Sequence, residues 1–507
     1  MAHNNKRIIS NTLYMYLRMI LVTGVTLYTS RIVLAQLGVV DFGLYNAIGG
    51  VVLLLSFIVP TLSSSVQRFL SYEIGRGDMD MVGKVFSMSI QVHLLIAGAV
   101  VLLSETIGLW FLNTQMNIPD DRMVAANVVY QCSIFSLVMI LWGVPFNALI
   151  IAKQKMKIYA WFSVITAMLK LLTAYLLIVS PIDRLSLYAI LMLLIFVIGR
   201  VNVSVYCSWK IKDVRYHRIW DKSLFRRLLS FSGWTLYGNV GNMAYSYGLN
   251  IVLNICCGPA VNAARAISTQ IQHVVDQFSN NFQTAVNPQL TQSYAAKDYD
   301  YVNKLFLSST NFTFYLMAII CIPIYIEMEE VLRFWLGSYP DYSVSFSRLT
   351  LLICGIQAFF NPTFTLTQAT GNIQKFQTIQ GTAMLLIIPL SFYFLHQGYD
   401  ADVVFYISII IILLTKIACT RVMLRLLPFL SIFSLLAVFI KGVFLVLVSG
   451  GVSYVFSITY CNGFMGIVYL ILFNTIVYSI LAYFTLSRYE REIVNKMLVV
   501  LKKKSER

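Results

Sequence analysis

Gly77-Asp78-Met79-Asp80-Met81-Val82-Gly83-Lys84-Val85-Phe86 returns 220 residues later as Lys297-Asp298-Tyr299-Asp300-Tyr301-Val302-Asn303-Lys304-Leu305-Phe306. Both Asp, the Val, the Lys and the Phe fall in register. Upstream, Ile32-Val33-Leu34 matches Ile251-Val252-Leu253 at an offset of 219. Downstream, Pro145, Ala152 and Tyr159 match Pro362, Ala369 and Phe376 at 217. Three matches at nearly one offset indicate a duplicated unit. In so apolar a chain, a duplicated helical unit points to a transporter with two related halves and a site between them.

The chain has 507 residues, 58% hydrophobic and 12% charged, with a mean hydropathy of +0.74. A soluble domain of this size needs far more charge to cover its surface. The apolar residues fall in runs of about 20, enough to cross a bilayer as a helix, and a helix is the only open-ended way to pair every backbone group there. The expected fold is therefore all-α and polytopic. Fourteen spans are expected, near residues 11–37, 44–63, 85–112, 124–150, 159–180, 185–208, 229–256, 261–288, 305–326, 344–369, 376–396, 402–426, 429–449 and 463–487.

Lys and Arg set the orientation. They concentrate in alternate connections: Lys6 and Arg7; Arg68, Arg76 and Lys84; Lys153, Lys155 and Lys157; the run from Lys210 to Arg227; Lys297 and Lys304; Lys375; Arg421 and Arg425. The other connections are poor in cations and several are acidic, as at Asp41, Asp120-Asp121, Asp183 and Glu327-Glu329-Glu330. Both termini are expected in the cytoplasm. The net charge of +16 then needs no nucleic-acid partner. It reflects the basic inner face plus a tail, residues 488–507, read either as an amphipathic helix on the anionic leaflet or as a solvated end. No cleavable signal is expected, because the apolar stretch after Lys6 and Arg7 is too long and no cleavage pattern follows. The eight cysteines show no metal-ligand spacing and read as small apolar fillers.

Residues 1–209 read as one six-helix bundle and 229–427 as a second, joined by a basic cytoplasmic connector at 210–228. An even number of spans per half makes the repeat parallel. Residues 428–487 add two helices without a counterpart. No connection is long enough for a separate domain, which argues against an enzyme.

The 6+6 arrangement with two extra helices resembles bacterial polysaccharide flippases of the O-antigen type. These share a superfamily with multidrug (MATE) exporters and lipid II flippases. The likeness rests on Arg31-Ile32-Val33-Leu34-Ala35-Gln36-Leu37-Gly38 with Asp41-Phe42-Gly43-Leu44-Tyr45, on the Gly77–Phe86 loop, and on Gln368-Ala369-Thr370-Gly371-Asn372. The resemblance implies an undecaprenyl-diphosphate-linked oligosaccharide as cargo, flipped by alternating access across a bacterial inner membrane for surface polysaccharide synthesis. Polysaccharide polymerase machinery would be a further partner. A monomer is the default state, and no cofactor beyond a coupling H⁺ or Na⁺ is implied.

Polar residues inside spans cost a few kcal/mol on insertion scales and mark cavities or helix–helix bonds. Arg265, Thr269, Gln272, Asp276, Gln283 and Asn287 lie within roughly 40° of one helical face. Span 7 carries Asn239, Asn242, Ser246, Asn250 and Asn254; span 1 carries Asn11, Arg18 and Thr29. Each set reads as cavity lining or as interhelical glue. Arg18 and Arg265 are the candidate diphosphate contacts, since a guanidinium fork matches phosphate oxygens and stays charged. Lys170 sits mid-span, where its ammonium cannot easily reach the interface. Arg31 and Arg200 read as boundary residues whose heads reach the interface. Asp276, the one acid near the centre of a span, either binds the coupling ion or neutralises a nearby cation. His93 and His273 read as packing residues or proton relays.

Two other functions compete. A MATE-type drug exporter would favour acidic cavity residues, and only Asp276 qualifies. A membrane-embedded glycosyl transferase or polymerase would need a long outer loop with catalytic side chains, whereas the longest outer connections, near 113–123 and 327–343, are short.

Overall fold

The computed structural model describes residues 2–116, 118–460, 463–492 and 494–495. Cys461 and the tail beyond residue 495 lie outside the described residues. The described chain is helical, without strands. Its helices are α1 (Ala2–Leu55), α2 (Ile58–Arg76), α3 (Met79–Leu103), α4 (Leu109–Thr114), α5 (Met123–Ala152), α6 (Met156–Val179), α7 (Arg184–Lys210) and α8 (Lys222–Cys257). Then follow α9 (Pro259–Ala295), α10 (Tyr299–Ile326), α11 (Met328–Leu336), α12 (Ser343–Thr370), α13 (Gln374–His396), α14 (Val403–Leu426), α15 (Ile432–Tyr460) and α16 (Gly463–Thr485).

Eleven helical stretches among the described residues are long and apolar enough to cross a bilayer. The chain is thus a multi-pass membrane protein. The expected fourteen spans include three that fall outside this set, at 44–63, 229–256 and 261–288. Polar residues lower the apolarity of the helical stretches 229–256 and 261–288, while 44–63 is interrupted at residues 56–57.

The boundary between the first two expected spans differs from the sequence reading. No loop occupies 38–43. Gly38 alone leaves helical geometry (φ 75, ψ 172), and the helix resumes to Leu55. The expected span 44–63 is therefore divided between the end of α1 and the start of α2. Asp41 does not break the helix because its carboxylate is bonded: Arg122 Nη2 lies 3.1 Å away. Arg122 also reaches Asp183 at 2.8 Å, and Asp183 caps α7 by accepting from Ser186 N. One guanidinium thus ties the starts of α5 and α7 to α1.

The duplicated sequence forms the same corner twice. Gly77 closes α2 in the left-handed region (φ 78), and Lys297 does the same after α9 (φ 61). Asp78 then caps α3 by accepting from Met81 N at 2.9 Å, as Asp298 caps α10 by accepting from Tyr301 N at 3.2 Å. The backbone bonds correspond: Gly77 N to Ile74 O and Asp78 N to Glu73 O in one, Lys297 N to Tyr294 O and Asp298 N to Ser293 O in the other. Each is the left-handed C-cap followed by an Asp N-cap that a tight helix reversal requires. Two further corners correspond. Gly38 and Gly258 share a conformation open only to glycine (φ 75, ψ 172 and φ 87, ψ 178). Gln154 after α5 and Gly371 after α12 both have positive φ.

The helices form two compact units, residues 10–232 and residues 233–507 with 1–9. In the first, α5 is central and packs on α2, α3 and α7. Its Val129, Tyr130, Leu137 and Leu141 are almost fully buried against Leu62, Ala97 and Leu185. In the second, α12 is central and packs on α9, α10 and α14. Phe346, Ile353, Phe359 and Leu366 fill its interior. The two central helices carry the matched prolines, Pro145 and Pro362. Within the second unit, α8 and α13 touch backbone to backbone: a Cβ on Gly241 would come within 2.7 Å of Gly381 Cα and O.

The beginning of the basic tail is not a solvated end. Ser487 and Glu490 form a reciprocal capping box, and Glu490 is buried, accepting from Asn311 Nδ2 on α10 at 2.7 Å. The connector between α7 and α8 is likewise tied down. Val214 is buried, His217 N donates to Ser87 Oγ at 2.9 Å, and Lys153 pairs with Asp213. The hydrogen bond and charge of Lys153 hold the Asp213 carboxyl below its ordinary value.

Glycine suits the left-handed corner and lysine is strained there. Gly77→Ala is expected to cost about 1 kcal/mol, whereas Lys297→Gly gains about 0.5 kcal/mol, glycine's chain entropy offsetting part of the relief. Thermal unfolding in detergent reads both, and a destabilised Lys297→Gly would contradict the corner geometry. Asp213→Asn is expected to cost about 0.5 kcal/mol near pH 7, a value discounted because the carboxylate is half exposed. A depressed carboxyl stabilises the fold above its unfolded pKa, about 4, and loses that contribution as pH falls through the folded value. The difference between wild type and Asp213→Asn should therefore shrink between pH 6 and pH 3.

Candidate functional site

Three cations gather around one cavity in the unit of residues 10–232. The cavity, about 300 Å³, lies among α5, α6 and α7. Its polar lining comprises Asn147, Tyr159, Ser163, Thr166, Arg200 and Asn202. Arg200 is 4% exposed. Its guanidinium lies over Phe146 (3.7 Å) and Trp142 (4.3 Å), and Nη1 donates to Ser204 Oγ. Its Nε and Nη2 are buried without a hydrogen-bond partner. The Arg200 stem runs beside Gly143, where a Cβ would make ordinary van der Waals contact with Cδ at 3.6 Å. Arg18 on α1 lies over Tyr159, a lining ring, at 4.9 Å. Lys170 on α6 lies over Phe196, another lining ring, at 5.6 Å. Both are half-buried.

No carboxylate lines this cavity. The ion pairs of Arg76, Lys84, Arg122, Lys153, Arg333 and Arg348 lie near helix ends or in connections, and Lys170, Arg200 and Arg265 pair with no carboxylate among the described residues. Aromatic faces therefore stabilise these cations, an interaction worth about 2 kcal/mol when desolvated. That is weaker than a charge-assisted bond to an anion in the same low-dielectric surroundings. The cavity is chemically suited to a phosphate-sized anion.

Arg200 departs from the sequence reading as a boundary residue. It lies ten residues inside the end of α7, Lys210, so its head cannot reach the interface along the helix.

The remaining candidates belong to the other unit. Arg265 on α9 is 2% exposed and lies over Phe405 at 5.1 Å, its Nε without a hydrogen-bond partner. Gln272 and Cys354 donate hydrogen bonds to the half-buried Asp276, with His273 nearby. Farther along α9, Ser279 accepts from Asn361 Nδ2 at 3.1 Å, Gln283 Nε2 donates to Thr313 at 2.7 Å, and Asn287 accepts from Thr365 at 3.1 Å. The α9 stripe is thus bonded to α10 and α12 over its second half, as interhelical glue. Its first half, from Arg265 to Asp276, retains a cation without a carboxylate partner. On α8, Asn242 bonds the Gly238 carbonyl at 3.1 Å, and Asn250 keeps a buried Oδ1 without a partner. Asn254, expected in the same row, is exposed. His93 is buried with Nδ1 on the Ser89 carbonyl at 2.6 Å, so it packs rather than joins a polar chain.

No group of side chains among the described residues could hold a metal ion, and the seven described cysteines are free.

Comparison with known proteins gives fold but not sequence likeness. No family model matches the chain, and no curated protein matches it. Solved structures of MATE proteins do. MATE in the straight conformation has a TM-score of 0.72 at 14% identity, covering 84% of this chain and 97% of that one. An outward-facing multidrug resistance MATE family transporter of the MOP superfamily gives 0.70 at 14%, with the same coverage. A MOP superfamily transporter from Pyrococcus furiosus, described as having a binding pocket of reverse polarity that suggests a different function, gives 0.70 at 14%, covering 84% and 96%. This chain has the fold of those transporters.

Gln283→Leu removes a buried donor and leaves Thr313 without it. The expected cost is about 1–2 kcal/mol. If thermal unfolding is unchanged, the second half of the stripe is not glue.

Proposed function

We propose that this protein is a MOP-superfamily membrane transporter for an anionic lipid-linked cargo, an undecaprenyl-diphosphate-linked oligosaccharide. It carries that cargo from the inner to the outer leaflet of a bacterial cytoplasmic membrane by alternating access. The observation that carries this reading is the cavity lined by Arg200 and by no carboxylate, with Arg18 and Lys170 over its lining rings Tyr159 and Phe196. A drug exporter that takes organic cations needs the opposite polarity. About 300 Å³ holds a diphosphate but not an oligosaccharide, so the cavity grips the charged end of the cargo. In the other unit, Arg265 is the candidate phosphate contact, with Gln272, Asn242 and Asn250 as its candidate polar contacts. Asp276 is the residue to bind H⁺ or Na⁺. The three matched corners support two six-helix repeats, and the fourteen spans of this reading add α2, α8 and α9 to the eleven apolar stretches. The termini are cytoplasmic on this reading, and the chain acts as a monomer.

A second reading is a MATE-type ion-coupled multidrug exporter. The fold likeness to a multidrug resistance transporter favours it.

Deleting the gene in its host separates the two. The flippase reading expects loss of surface polymer, with lipid-linked oligosaccharide trapped on the inner leaflet. Complementation with Arg18→Gln, Lys170→Gln or Arg200→Gln should restore export about 10- to 100-fold less well at equal expression, the loss of one charged hydrogen bond. Normal polymer with altered drug sensitivity alone would establish the exporter instead. Oligosaccharide that reaches the outer leaflet yet stays unpolymerised would point to an enzyme.

A further inference from the structure

A second cavity lies in the unit of residues 10–232, at the end of α5 and α7 that carries the basic connections. It measures about 880 Å³ and shares no lining residue with the cavity of Arg200. One wall is cationic: Lys210, Lys212 and Arg215. The opposite walls are apolar, with Phe86, Ile90 and Leu94 from α3 and Trp142 and Phe146 from α5. Trp209 and Tyr216 stand at the rim, 71% and 51% exposed.

This shape is built rather than incidental. The connector carrying Lys212 and Arg215 is fixed by Val214 in the interior, by His217 N on Ser87 Oγ, and by Lys153 on Asp213. Asp213, beside Lys212, is thereby turned to Lys153, and neither it nor Asp221, the other acid of the connector, lines the cavity. Gln91 Nε2 reaches Tyr216 Oη at 3.5 Å. The rings of Trp142 and Phe146 are held by the Arg200 guanidinium packed on them. Three cations over an apolar, aromatic-rimmed wall match an anionic amphiphile: phosphate at the cations, acyl chain along α3 and α5. Aromatics at the rim suit the headgroup level of a bilayer.

We infer that this cavity is a binding site for an anionic glycerophospholipid of the inner leaflet, separate from the cargo cavity. The Lys and Arg distribution places this end on the inner face. The inference rests on that placement and not on the nature of the cargo, so transport and lipid retention are read independently.

The test is native mass spectrometry of the full-length protein titrated with dioleoylphosphatidylglycerol or dioleoylphosphatidylcholine. One phosphatidylglycerol is expected to be retained in preference to phosphatidylcholine. The triple variant Lys210→Gln, Lys212→Gln, Arg215→Gln should weaken it roughly 100-fold, since each cation near an anionic headgroup contributes about fivefold. Arg218→Gln, Lys222→Gln, Arg226→Gln removes the same charge outside the cavity and should leave retention unchanged. All six side chains are exposed, so neither variant disturbs the core. Equal retention of the two lipids, or equal loss in both triple variants, would overturn the inference. So would displacement of the lipid by millimolar glycerol 3-phosphate, which would make this a soluble-phosphate site. Retention of undecaprenyl phosphate but not of phosphatidylglycerol would reassign the cavity to the cargo.

Discussion

The structure depends on one constraint: inside a bilayer, no backbone group has water to bond. Each span must therefore stay helical until it leaves the bilayer, and several spans end in a compact corner that pairs its own N–H and C=O groups. Such corners demand left-handed residues and short polar caps, and these residues mark the fold. Gly77 with Asp78, and Lys297 with Asp298, make one kind of corner. Gly38 and Gly258 make a second, with one residue and no loop. Gln154 and Gly371 make a third, each after a proline-bearing central helix. Side chains differ at two of these positions, Gly77 against Lys297 and Gln154 against Gly371, while φ stays positive at all of them. The fold is likewise shared with solved MATE structures at only 14% identity.

The same dryness governs charge. Ion pairs cluster where water is near, as in the Arg122 group and the Lys153–Asp213 pair. Deeper in, Arg200, Arg265 and Lys170 rest on aromatic rings. A ring offers its quadrupole without bringing a countercharge, so the cation's field stays available to a ligand. A carboxylate in its place would cancel that field. The choice of ring over carboxylate is therefore a choice about which ligand the interior can accept.

Much of this was legible in the sequence because corners and apolar runs are local. The Asp-x-Asp-x-Val-x-Lys repeat announced its corner, since an N-cap Asp and the first turn of a helix lie within a few residues. Apolar runs located most helices for the same reason. Three features were hidden because they are not local. Gly38 looks like the start of a loop, yet the chain turns there on one residue, and Arg122, 81 residues beyond Asp41, pins the helix that follows. Arg200 looks like an interface residue until Trp142 and Phe146 of α5 are laid against it. The polar face of α9 has one periodicity, yet its second half is satisfied by Thr313, Asn361 and Thr365 from other helices. Periodicity reports that a face is polar; the partner on the next helix decides whether it is bonded.

The contact of Gly241 with Gly381 carries a consequence for how this sequence can diversify. Two backbones touch there with room for hydrogen only, and Gly238 and Gly248 on the same edge of α8 meet Gln377 and Ile388 of α13. At Gly241 the alphabet of acceptable residues shrinks to one letter, whereas at Gly238 and Gly248 the neighbours are side-chain ends that can shift. Val240, Tyr247 and Ile251 on α8 are exposed and meet no such limit. Tolerance on α8 is therefore uneven: one backbone contact fixes a position by geometry, and the exposed positions are free of it.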